Sequence, residues 1–75
     1  MRRIGTVVRT AQGLAVVRAP DETVTDIGTT VIDENLDTVG TVVDVFGPVD
    51  RPYLGVSPTE SVHLPGLVGT VLYAR

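Results

Sequence analysis

The sequence has no cysteine and no tryptophan, and all six of its basic residues are arginine, so lysine is missing too. Without cysteine there is no disulfide framework and no thiolate zinc site. One histidine, His63, excludes a multi-histidine metal centre. Six arginines against nine carboxylates give a formal charge of −3. A protein that grips nucleic acid alone needs a basic face to displace counterions from phosphates, and this composition offers little of one. No apolar run approaches the roughly 20 residues that cross a bilayer. No apolar stretch long enough for a secretory leader follows Arg2 and Arg3. A cytoplasmic protein without membrane contact is expected. A helical period sustained over ten or more residues is also lacking.

What remains is a β pattern within one domain, residues 1–75. A chain this short buries only roughly 60% of its unfolded surface, so its core is thin. Strands are predicted over 3–10, 14–18, 31–33, 38–46, 53–57 and 67–73, the first two as a hairpin around Ala11-Gln12-Gly13. Residues 23–30 are predicted as a loop crossing the barrel, and 59–66 as a loop carrying His63. Gly-Thr-Val recurs at 5–7, 40–42 and 69–71, each time inside a predicted strand. Side chains alternate along a strand, so glycine and valine share one face and threonine takes the other. Placing the hydroxyls in solvent predicts Val7, Val42 and Val71 inside, with the glycines allowing the sharp bends of a closed six-stranded barrel.

No catalytic constellation is present. His63, between Val62 and Leu64, has no nucleophile or acid patterned around it and reads as a surface-loop residue. Asp33, Glu34 and Asp37 flank a turn, where carboxylates cap backbone donors. Asp44 interrupts an apolar strand, so it reaches solvent beside a bulge or hydrogen-bonds locally. The glycines are too dispersed for a phosphate loop. No enzyme activity, cofactor, metal or small-molecule substrate is expected.

The organising stretch is 39–53. A β-branched strand runs into Phe46-Gly47-Pro48-Val49-Asp50-Arg51-Pro52-Tyr53. Turns normally collect polar residues, yet this one is apolar. Phe46 is expected to seal the barrel end, with Pro48, Val49, Pro52 and Tyr53 forming an exposed patch beside Gly47. Phe46 and Tyr53 flank Arg51, as in a nucleic-acid stacking site. The adjoining Pro48, Val49 and Pro52 fit a protein partner better.

Val39-Gly40-x-Val42-x-Asp44-Val45-Phe46-Gly47-Pro48-Val49-x-x-Pro52-Tyr53, with Val56 and Pro58 beyond it, resembles the glycine/arginine-rich-type subunit of box H/ACA ribonucleoproteins in its short archaeal form. Arg3-Ile4-Gly5-x-Val7 and Val68-Gly69-x-Val71-Leu72-Tyr73 extend the likeness over nearly the whole chain. The resemblance implies an all-β, six-stranded closed barrel like the second domain of translation elongation factors. It implies a non-catalytic subunit that docks on a dyskerin-type pseudouridine synthase and meets guide RNA only indirectly. There it would help control a mobile loop over substrate RNA, aiding substrate loading and product release in rRNA pseudouridylation. The glycine/arginine-rich tails of eukaryotic members are not in this sequence, so tail-mediated RNA binding is not expected. Residues 39–45 alone also resemble the PRC-type barrel of ribosome-maturation proteins, which leaves Gly47-Pro48-Val49 and Pro52-Tyr53 unexplained. A translation-factor-like RNA-binding barrel fits the charge less well.

An acidic, lysine-free composition also fits a halophilic archaeon, with carboxylates keeping the surface hydrated. Thermal melts should then show the melting temperature rising from physiological salt, where the Debye length is about 8 Å, to molar salt. An unchanged or falling melting temperature would remove the high-salt reading.

Overall fold

The computed structural model describes residues 2–22 and 24–75. Thr23, the first residue of the expected crossing loop, lies outside the described residues. Six strands form: β1 (Arg2–Ala11), β2 (Leu14–Arg18), β3 (Thr30–Ile32), β4 (Thr38–Phe46), β5 (Tyr53–Pro58) and β6 (Val71–Ala74). They close into an antiparallel barrel in the order β1-β2-β5-β4-β3-β6, with β6 returning to β1. The one helical segment among the described residues is a 3-10 turn, Leu64–Leu67. No helix among them is long and apolar enough to cross a membrane.

The core is aliphatic, its largest fully buried side chains being Ile4, Leu54, Leu72 and five valines that include Val7 and Val42. Val7 faces Val17 across β1–β2, and Val42 faces Val56 across β4–β5, so both expected valines point inward. Gly5 and Gly40 are buried as well. At Gly40 the reason is close approach, since a Cβ would run into the Ser57 carbonyl of β5.

The third Gly-Thr-Val copy behaves differently. Strand β6 begins only at Val71, and Gly69 sits in a turn at φ +90°. Val71 pairs with outward-leaning Thr6 and is half-buried, while Leu72, opposite Gly5, takes the inward place. Cross-strand partners share a face, so register with β1 decides the matter against the local motif. Leu67, expected at the start of the last strand, closes the 3-10 turn and packs with Leu64 against the core.

The loop before β3 lies along β4. Gly28 N donates to Val42 O at 2.8 Å, and Val42 N donates to Thr29 O at 3.0 Å. Thr25 is buried and its hydroxyl accepts from Arg2 Nη2 at 3.2 Å.

Two bulges bracket this wall, between Val7 and Arg9 in β1 and between Val42 and Asp44 in β4. Each inserts one residue, so the in–out alternation reverses beyond it. In β4 that reversal sends Asp44 and Phe46 outward and Val45 toward the core.

A Gly40→Ala substitution should therefore destabilise the barrel by about 1–3 kcal/mol, the range for forcing extra volume into a tight site. Thr41→Ala, at an exposed neighbour, should stay within about 0.5 kcal/mol. Urea unfolding of the two variants measures the difference, and equal midpoints would contradict the packing described.

Candidate partner-binding site

The β4–β5 hairpin carries the turn 47–52 at one end of the barrel. Gly47 makes the reversal possible. Its φ of +86° lies in the left-handed region, and a Cβ there would sit 2.7 Å from Tyr53 Cδ2. Arg51 N donates to Pro48 O at 3.3 Å, closing the turn on itself. Two further bonds tie the turn to the end of β2: Ala19 N donates to Pro52 O at 3.0 Å, and Arg51 Nε donates to Ala19 O at 3.0 Å.

The ties and the β4 bulge correct two expectations. Pro52 is buried, because its carbonyl is bound to Ala19 and its ring lies at the base of the turn. Phe46 does not seal the barrel end. The bulge after Val42 gives the inward place to Val45, and Phe46 is 37% exposed on the outer face. Val49 is 91% exposed and Pro48 is exposed. Together with Val24, Val45, Gly47 and Pro52, these three line an apolar groove of about 240 Å³.

Tyr53 stands beside the groove, half-buried in a row of side chains across three strands. It pairs with Phe46 on β4 and with Arg18 on β2. The Phe46 and Tyr53 rings stack with centroids 5.7 Å apart and planes 19° apart, within the offset-stacking range. Arg18 Cζ lies 5.1 Å from the Tyr53 ring centroid, and Arg18 Nη1 donates to the Tyr53 hydroxyl at 3.0 Å. Arg51, which the sequence places between the two aromatics, is instead turned onto Ala19. The cation over the ring is Arg18, 35 residues away in sequence. Sequence reading missed Arg18 and Val24, because both enter through pairing and loop placement; an arginine ending a strand carries no local sign of its cross-strand partner.

Two carboxylates have structural duties. Asp33 Oδ1 accepts from Asn35 N at 2.9 Å and Asp37 N at 3.1 Å, an Asx-type turn. Asp44 Oδ1 accepts from Val45 N at 2.9 Å beside the bulge. A larger, open cavity of about 580 Å³ lies between Asp33, Asp37 and His63, but Asp33 is already committed to backbone amides. Among the described residues no group of three or more His, Cys, Asp or Glu could hold a metal ion.

The chain is thus an all-β closed barrel with an apolar groove at the end that carries the 47–52 turn. The family profile described as Gar1/Naf1 RNA binding region matches residues 1–75. This chain belongs to that family, which is the one the stretch 39–58 resembles. The solved structure titled "Structure of the Gar1 domain of NAf1" superposes with a TM-score of 0.77 at 20% sequence identity, covering 97% of this chain and 82% of that one. That likeness carries the six-stranded barrel. No curated protein matches the chain. Family membership is consistent with an accessory subunit of H/ACA ribonucleoproteins.

Gly47→Ala should cost about 1–2 kcal/mol for the left-handed backbone alone and displace the Tyr53 ring. Near-ultraviolet circular dichroism of Tyr53 together with a thermal melt reads both effects. A variant with unchanged spectrum and stability would refute this account of the turn.

Proposed function

We propose that the chain is the small non-catalytic subunit of a guide-RNA pseudouridylation complex and docks through the 46–53 turn on a dyskerin-type pseudouridine synthase. Seated there, it assists loading of substrate RNA and release of product during rRNA modification. The observation that carries the docking reading is Val49, 91% exposed at the tip of a turn whose base is fastened by backbone bonds. An isolated exposed valine is ordinary. One held beside exposed Phe46 and Pro48 over an apolar groove is a preformed contact surface. Little ordering entropy is lost when so stiff a turn docks.

The family description names RNA binding. With a net charge of −3 and no lysine, this chain meets RNA through the assembled complex rather than by a basic face of its own. The composition also suits a cytoplasmic protein of a halophilic archaeon.

Val49→Asp should abolish association with purified synthase while circular dichroism stays unchanged, because a charge in a desolvated interface has no partner. Tyr53→Ala should weaken association by about 2 kcal/mol or more as an interface hot spot. Calorimetric titration in molar salt measures both. Normal binding by Val49→Asp would sink the docking assignment.

A further inference from the structure

Arg18 is half-buried on the outer wall, and one of its donors has no acceptor among the described residues. Nη1 is given to the Tyr53 hydroxyl, while Nε is enclosed with no acceptor among the described residues. Asp44, on the same outward face two positions along the pairing, has its Oδ1 turned onto the Val45 amide. The guanidinium is thus held against Tyr53, with no carboxylate among its hydrogen-bond partners within the described residues. Burying Nε without an acceptor is unfavourable, and a carboxylate on the guanidinium edge not given to Tyr53 would offset that cost without reaching Nε itself. A fork placed against a ring and bonded to its phenol loses little freedom when that anion arrives.

We infer that Arg18 receives a carboxylate from the synthase, so that the docking surface runs from the Val49 tip across Phe46 and Tyr53 onto β2. The inference rests on the docking reading and adds to it the chemistry the partner must present: an Asp or Glu flanked by apolar side chains, one row away from the groove. Charge decides between carboxylate and phosphate. A chain with nine acids and six arginines repels a polyanion, yet can offer a single fixed cation to one acid. The apolar neighbours Phe46, Pro48 and Val49 give a nucleic acid backbone nothing to bind.

The test is titration of the full chain against purified synthase at low and high salt, comparing Arg18→Met, Arg18→Lys and Tyr53→Phe with Val49→Asp. Arg18→Met keeps an apolar stem, and should bind about tenfold more weakly or worse with a flatter salt dependence. Arg18→Lys should recover part of that loss, since it keeps the charge without the planar fork. Tyr53→Phe removes only the hydroxyl that steadies Nη1, and should weaken binding about two- to fivefold with the fold intact. A charge-reversed pair, Arg18→Glu with an Asp or Glu→Arg change in the synthase, should restore binding lost by Arg18→Glu. If Arg18→Met and Tyr53→Phe bind like the unaltered chain while Val49→Asp fails, the carboxylate inference falls and the docking reading stands. If Val49→Asp binds normally, the docking reading itself falls. If Arg18→Met instead lowers binding of guide RNA by the chain alone, the guanidinium takes a phosphate and the inference is overturned.

Discussion

The barrel depends on the close crossing of its strands around a core that contains no aromatic ring. Valine, isoleucine, alanine and leucine fill little volume, so a stable interior requires a narrow barrel with strongly coiled walls. Buried glycines supply the close approach, and bulges supply the coiling. Gly40 meets the Ser57 carbonyl because the wall there has no room for a side chain. The register shifts in β1 and β4 let two long strands serve first the barrel and then a projecting sheet.

The same device builds the candidate site. One extra residue after Val42 moves Val45 inward and Phe46 outward, and Phe46 then finds Tyr53 in register on β5 and, beyond it, Arg18 on β2. The aromatic content of the chain is small, three residues in all, and two of them are stacked on this outer wall. Rings that could have filled the core are placed on the outer wall instead, Phe46 exposed and Tyr53 half-buried. That allocation is the one the proposed docking role calls for, with scarce large side chains kept on the surface.

Much of the fold was legible because β-branched alternation and glycine punctuation act locally. Strand β4 runs over its predicted bounds, and Val7 and Val42 face inward for the reason given by the pattern. Alternation fails wherever register intervenes. A reader stepping by two from Val42 places Phe46 inside, and one bulge invalidates the count. Val71 follows its partner Thr6 rather than its own motif. At the site, the apolar turn was visible as composition, since Pro48 and Val49 in a turn contradict ordinary turn chemistry. The burial of Pro52 was not visible, because it follows from a backbone bond to Ala19, 33 positions upstream. Arg18 was hidden for the same reason.

Asp44 carries a consequence for what the margin of the sheet can pair with. Beyond the bulge β4 has no strand partner on its β3 side among the described residues, and such margins invite an extended chain to add itself as another strand. The Asp44 carboxylate occupies the Val45 N–H, taking away a donor that an added strand would need. Backbone-to-backbone zippering, indifferent to sequence, is thereby discouraged along this rim. Contact is left to side chains, which can tell one surface from another.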